Sequence, residues 1–371
     1  MIKFLYKKAL KPIFFRKDPE DVHDRMLIVG AFLGRFKLTR TILRLVFRYD
    51  NKMLEQEIDG IKYTNPAGLS AGFDKDANLI DTLYHVGFGF MQVGSVTLNP
   101  YEGNPKPRLY RLKKSEGLVV YYGLKNIGVD KIIEKVKKLK KNNNFPISFS
   151  IAKTNSTESS TVEGGIEDYY QCMEKLVSAD LGDFYTINIS CPNAYGGEPY
   201  TTPDRLDKLL SKLSEIKTDK PRYVKMPLNL PLTDFNDLLK IIIKFKFEGV
   251  IIANLNKDRN SNEIKDEIPE NIQGGIGGRP TFSLSNELIK QTYKLYGSTL
   301  TVIGVGGIFS AEDAYTKIKL GASLVQLITG MIYEGPSLIK EINKGLVRLM
   351  KADGFDHITE AIGYSVIKDD E

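Results

Sequence analysis

From about residue 60 onward, short apolar or glycine-rich runs alternate with longer segments of helical periodicity. The runs fall at 67–72, 90–96, 147–152, 184–190, 223–226, 249–254, 300–305 and 323–328. Each has the length and apolar content of a buried strand. The segments 166–176, 205–216, 234–245, 284–296 and 311–320 between them read as helices. Alternating β and α elements imply a parallel sheet, and eight repeats predict a closed (β/α)₈ TIM barrel, with a doubly wound open sheet as the structural alternative. Residues 1–50 follow another pattern. Asp18-Pro19-Glu20-Asp21 has the form of a helix start: Asp at the N-cap, Pro at the first position, acids in the first turn. Beyond it Leu27, Phe32, Phe36, Leu43, Leu45, Val46 and Phe47 lie among basic residues. That mixture suits a helix pair resting on an interface, or a helical cap packed on a core. The expected division is therefore an N-terminal helical cap over 1–50 and a barrel over 51–371.

Composition narrows the picture. The chain has 371 residues, 42% hydrophobic and 26% charged, which excludes a collagenous, low-complexity or broadly disordered protein. Cys172 and Cys191 are too few for a disulfide framework, and too poorly supported by histidine for a structural zinc site; no metal is expected. No apolar run reaches the ~18–20 residues that span a bilayer, and no signal-peptide pattern opens the chain. The net charge of +6 is unevenly spread: residues 1–50 hold twelve Lys/Arg against five Asp/Glu, the remainder forty against forty-one. A near-neutral barrel without an RNA- or DNA-binding motif argues against nucleic acid as a partner. A basic, apolar terminal segment points instead to a membrane surface.

In such a barrel the chemistry sits at the C-terminal ends of the strands. Ile303-Gly304-Val305-Gly306-Gly307-Ile308 ends the seventh run and Leu324–Gly330 the eighth, where barrels commonly hold phosphate; 274–280 adds a further glycine-rich loop. At the end of the fourth run, Asn188-Ile189-Ser190-Cys191-Pro192-Asn193 sets two carboxamides around a thiol. Carboxamides both donate to and accept from a planar amide-bearing ring, and a thiol of lowered pKa can act as nucleophile or base. Lys75 and Lys225 stand at the ends of the first and fifth runs, where they would meet an anionic ligand or developing negative charge.

Taken together, these segments resemble dihydroorotate dehydrogenase. The match rests on 65–76, 103–112, 188–193, 274–280 and 321–327, which occur in the family's order. The resemblance implies an FMN enzyme that oxidises dihydroorotate to orotate in pyrimidine synthesis. It places FMN against Ala71, Gly72, Lys75, Ser95, Asn188, Lys225, Gly278, Gly307, Thr329 and Gly330. Lys75, Asn188, Asn193 and Asn254 would hold the substrate, and Cys191 occupies the position of the catalytic base. Asp-Pro-Glu-Asp-Val-His at 18–23 is similar to the cap of the quinone-using branch (class 2), with His23 and Arg111 at positions associated with its quinone tunnel. That branch is peripherally membrane-associated, which in a bacterium means the cytoplasmic face.

Several positions depart from the family. Its class 2 branch carries Ser where this chain has Cys191, as the soluble class 1 enzymes do. Val120 stands where the family has a substrate-contacting asparagine, Leu255 where it has Ser or Thr, and Ser150 where it has a flavin-contacting asparagine. A lost partner for a buried polar ligand group costs about 1–3 kcal/mol. Asn126 or Tyr121 could fill the gap at Val120, and Asn155 lies near Ser150 in sequence. Otherwise the departures leave open a related cyclic amide such as a dihydropyrimidine as substrate, or a non-catalytic flavin-binding module.

Overall fold

The computed structural model describes residues 2–139, 142, 144–195 and 197–369. Eight parallel strands close into a barrel: β1 (Ala67–Leu69), β2 (Phe90–Val96), β3 (Ile147–Ile151), β4 (Phe184–Asn188), β5 (Arg222–Lys225), β6 (Gly249–Ile252), β7 (Thr301–Val305) and β8 (Leu324–Leu327). Each pairs with its sequence neighbour, and Val325 opposite Ala67 closes the ring. All eight runs seen in the sequence become these strands. Their near-continuous burial is what a sheet covered by helices outside and filled by side chains inside requires.

The barrel interior is layered. At its N-terminal end Tyr63, Phe90, Phe184, Tyr223, Ile251, Ile303 and Leu324 form an aromatic and aliphatic plug, joined by the hairpin Gln56–Ile58 and Ile61–Tyr63. Above it lies a polar layer, in which Gln92 Nε2 donates to Thr186 Oγ1 at 2.6 Å.

One glycine-rich segment differs from the loop expected at 274–280. Gly275–Gly278 is a strand, paired antiparallel to Gly117–Val120, which in turn pairs with Leu109–Leu112. Side chains are sterically excluded at one edge of it: a Cβ at Gly275 would stand 2.7 Å from Leu255 Cβ. Glycine here serves close packing rather than a turn. This three-stranded sheet roofs the C-terminal mouth of the barrel, since Leu109, Leu118, Val120, Gly277 and Gly278 all line the cavity beneath.

The N-terminal segment is helical up to residue 47. After a short helical stretch over residues 2–14 come α1 (Pro19–Arg35) and α2 (Lys37–Phe47). The cap of α1 forms as the sequence suggests: Asp18 accepts from the backbone N–H of Glu20 at 2.8 Å and of Asp21 at 3.1 Å. Gly30 and Gly34, one turn apart, let α1 lie against the helix Ile80–Val86; a Cβ at Gly34 would stand 2.3 Å from Thr82 Oγ1. Lys3 and Lys7 tie the first turns to Glu334 at 3.0 and 2.6 Å. The outer surface stays unpartnered. Of eighteen exposed large apolar side chains among the described residues, twelve lie between Phe4 and Leu45.

Candidate functional site

A cavity partly open to solvent occupies the C-terminal mouth of the barrel beneath the roof and the cap. It gathers Ala71, Gly72, Lys75, Ser95, Asn188, Cys191, Asn193, Lys225, Asn254, Gly278, Gly307, Thr329 and Gly330, with His23 reaching in from α1. Arg111 lies outside this lining. Its Nη1 donates to the Lys17 carbonyl at 2.7 Å, and its guanidinium stacks 4.8 Å from the Phe15 ring.

The carboxamides are held by neighbours. Asn188, at the end of β4, donates to Ser95 Oγ at 2.8 Å while its oxygen accepts from Ser190. Asn254 donates to the Ser190 carbonyl at 2.6 Å, and its oxygen accepts from the Leu255 N–H. Asn193 donates to the Val120 carbonyl at 2.8 Å, which ties the Cys191 loop to the roof. Lys153 fastens the far side of that loop through the Tyr195 carbonyl at 2.7 Å. Cys191 is therefore half-buried on a loop pinned at both ends.

Burial dominates the electrostatics. It pushes the Cys191 thiol up to about 11, although the N–H of Asn193 and the charges of Lys225 and Lys153 pull the other way. The free thiol's advantage over serine is thus partly offset in the folded protein. Burial also brings Lys75 and Lys225 down to about 8, poised to gain from any anionic partner. His23 falls to about 3, through burial and the positive charges of Lys75 and Lys125, so its ring is neutral at ordinary pH.

Three side chains that sequence reasoning passed over shape the passage between cap and barrel. Tyr122 packs its ring 3.6 Å from Lys75 Nζ, and its hydroxyl is buried without a partner. Phe73 meets His23 edge-on with centroids 4.8 Å apart, and His23 Nε2 is likewise unpartnered. Gln326 lies on the cavity floor with both amide atoms buried and unpartnered. Tyr122 sits in the Val-Tyr-Tyr-Gly stretch that already stood out as a departure; nothing in the sequence distinguished Gln326 from a core residue.

The side chains considered as replacements at the departing positions do not fill them. Val120 and Leu255 line the cavity, whereas Tyr121 and Asn126 do not. Asn126 is taken up by Thr97 and the Leu124 carbonyl, and Asn155 by Asn104, Gly123 and Tyr195. Ser150 bonds Ser95 at 2.9 Å.

Comparison with known proteins places the chain in a family. The family model for Dihydroorotate dehydrogenase matches residues 53–350. A Dihydroorotate dehydrogenase (quinone) of Christiangramia forsetii is 38% identical over 352 residues, covering 92% of this chain and 99% of that one. Its counterpart in Haloarcula marismortui is 37% identical, covering 95% of this chain and 97% of the relative. A crystal structure of DHODH from Eimeria tenella in complex with ferulenol superposes with a TM-score of 0.82 at 26% identity, over 94% of this chain and 96% of the other.

Proposed function

The chain belongs to the dihydroorotate dehydrogenase family, in its quinone-dependent class, and oxidises dihydroorotate to orotate in pyrimidine biosynthesis; from that premise we propose how its own residues divide the work. Members of the family generally bind FMN. The inner cavity fits that group. Gly306 and Gly307 take φ of +112° and +69°, and a Cβ at Gly307 would stand 2.5 Å from Phe282 Cβ. A Cβ at Gly330 would stand 1.9 Å from the Ile308 carbonyl oxygen. Bare backbone of this kind lets N–H groups approach a phosphate. Gln326, whose amide nitrogen and oxygen are both buried without partners, suits a polar ring edge.

In this reading Gly278, Gly307, Thr329 and Gly330 hold the phosphate end of FMN, and Ala71, Gly72, Ser95, Asn188 and Lys225 its ring. Bound there, FMN would supply the redox chemistry between dihydroorotate and quinone. Lys75 binds the substrate's negative charge, and Asn188, Asn193 and Asn254 fix its plane, being already restrained by their own hydrogen bonds. Cys191 removes the proton from carbon. Lys225 stabilises the negative charge that develops on the far side of the site. His23 and Arg111 border the quinone's path under the cap. No helix among the described residues is long and apolar enough to cross a membrane, so the apolar, basic cap would rest on the bilayer surface.

One observation carries this reading: a single cavity joins the Cys191 thiol, both lysines and the carboxamides to the underside of the cap. The test is anaerobic mixing of the flavin-loaded protein with dihydroorotate, then with a soluble quinone. Bleaching of the flavin followed by its return is expected. No bleaching at millimolar substrate would refute the assignment.

A further inference from the structure

Lys317 is the one lysine among the described residues with no exposed surface at all. It projects from the helix α4 (Ala311–Lys319) toward α3 (Phe282–Tyr296). Its Nζ donates to Ser285 Oγ at 2.6 Å and to Asn286 Oδ1 at 2.8 Å, both neutral acceptors. The Phe282 ring lies 5.0 Å away. No carboxylate among the described residues forms an ion pair with it. Asp313, on the same helix, is engaged by Arg279 at 2.9 Å and by the Phe309 N–H at 2.8 Å.

Taking an ammonium out of water without a counter-charge costs several kcal/mol. Two neutral hydrogen bonds return only part of that. The packing shows where the compensating charge belongs. Lys317 Cδ lies 3.3 Å from where a Cβ at Gly304 would stand, and Ser285 Oγ lies 3.1 Å from the same point at Gly306. Lys317 thus presses on the back of the β7 strand end whose front, Gly306 and Gly307, lines the inner cavity. Burial brings its pKa down to about 7, with Arg279 adding to the fall and Asp313 opposing it, so a nearby anion would hold it charged.

We infer that Lys317 is a positioning residue whose buried charge, set behind the Gly304–Gly307 segment, is the counter-charge for the cofactor's phosphate. It touches neither cofactor nor substrate; it acts through Ser285 and the glycine loop. The inference rests on the flavin reading above. It makes the phosphate part of what completes the folded core, because the anion settles a charge the protein alone leaves uncompensated.

The competing role is a plain tie between α3 and α4. The two differ in sign. In Lys317→Met the charge is gone and the volume nearly kept. As a counter-charge, its loss should leave the flavin-free protein at least as heat-stable as the wild type. FMN affinity should fall roughly tenfold or more, as for a lost interaction of a buried charge. Affinity for riboflavin, which has the same ring and no phosphate, should stay within about twofold. Asn286→Ala, which removes a neutral partner and keeps the charge, should retain the preference for FMN over riboflavin. Fluorescence titration of the flavin-free full chain measures both affinities. The inference fails if Lys317→Met does not fold, loses heat stability, or weakens FMN and riboflavin equally; it also fails if Asn286→Ala erases the preference. A wild-type chain that binds neither flavin overturns the flavin reading itself, and the inference with it.

Discussion

Glu20 Oε1, on the first turn of α1, lies 3.1 Å from Arg108 Nη1 on the barrel. The Glu20 side chain is 3% exposed, and Lys125 at 3.3 Å and Lys106 at 3.8 Å complete a ring of three cations around one carboxylate. The contact does more than fasten the cap. Arg108 Nε also donates to the Asn104 carbonyl, and Asn104 Nδ2 donates to the Asn193 carbonyl at 2.9 Å. A continuous chain of hydrogen bonds therefore runs from the cap to the loop that bears Cys191. Glu20 also stands one turn before His23, so it sets where that ring meets Phe73.

Glu20→Gln tests this chain. Removing one member of a buried ion pair destabilises by about 3–5 kcal/mol, and less here because Lys106 and Lys125 reach solvent. The expected result is a large fall in quinone reduction, since His23 loses its anchor. A smaller, several-fold rise in the KM for dihydroorotate should accompany it through Asn104 and Asn193. Rapid-mixing measurement of the two half-reactions separates these effects. Unchanged values for both would show that the cap is held by its apolar contacts alone.

Cys191 makes a pH prediction with a definite sign. Its thiol sits at about 11, so the base form is scarce at neutral pH and grows tenfold with each pH unit. Flavin reduction by dihydroorotate should accelerate steadily from pH 6 to 9 rather than level off near the ordinary thiol range. Cys191→Ala should slow that step by about 10²–10⁴ and retain flavin, in line with the worth of a general base. Cys191→Ser should keep part of the rate with a profile displaced further toward alkaline pH. A pH-independent rate in the wild type, or a wild-type rate in Cys191→Ala, would remove the thiol from the mechanism.

Barrel and cap were legible in the sequence for different reasons. The eight strands show because a parallel strand is buried on both faces, so 249–252 is a dense apolar run and 147–151 interrupts its apolar residues only with small serines. The α1 start shows because Asp18 and Pro19 act locally. The roof strands 109–112 and 117–120 stayed hidden, as their sequence, with Arg111 and Tyr110 among apolar residues, carries no clean alternation. The strand Gly275–Gly278 reads as a loop because four residues with three glycines lack side chains to signal a sheet. The residues proposed to hold the ligand came forward through motifs, whereas Tyr122 and Gln326, which share their cavity, did not. Glu20 and Lys317 did not, because a buried charge is recognisable only by what surrounds it.

The exposed apolar face of the cap leads to a prediction about membranes. Ile28 is 70% exposed, and Leu45 is 76% exposed. Neither supports the core, so Ile28→Ser with Leu45→Ser should leave the melting temperature and flavin reduction unchanged. If the face enters the bilayer interface, each lost side chain removes roughly 1.5–3 kcal/mol of apolar burial. Vesicle partitioning should then drop at least tenfold, and high salt should weaken the remainder by screening the basic residues. Undiminished sedimentation with anionic vesicles would place the membrane contact elsewhere.

Val120 offers a gain-of-function test. It ends the roof strand Gly117–Val120 and lines the cavity, while its carbonyl holds Asn193. Substitution keeps that backbone bond and changes only what the cavity meets. The family resemblance puts a substrate-contacting asparagine at this position, and neither Tyr121 nor Asn126 lines the cavity in its place. Val120→Asn should therefore lower the KM for dihydroorotate, by up to about tenfold if the new amide forms one good hydrogen bond. The substrate-free enzyme should pay for it with a lower melting temperature, since the new amide would be a polar group without a partner in a cavity wall that Leu118 and Leu255 also line. Saturating dihydroorotate or orotate should recover the lost stability, because binding supplies the missing partner. A KM that stays level or rises, with no ligand-dependent recovery, would mean that the apolar wall of Val120 and Leu255 fits the substrate better than the family's polar one.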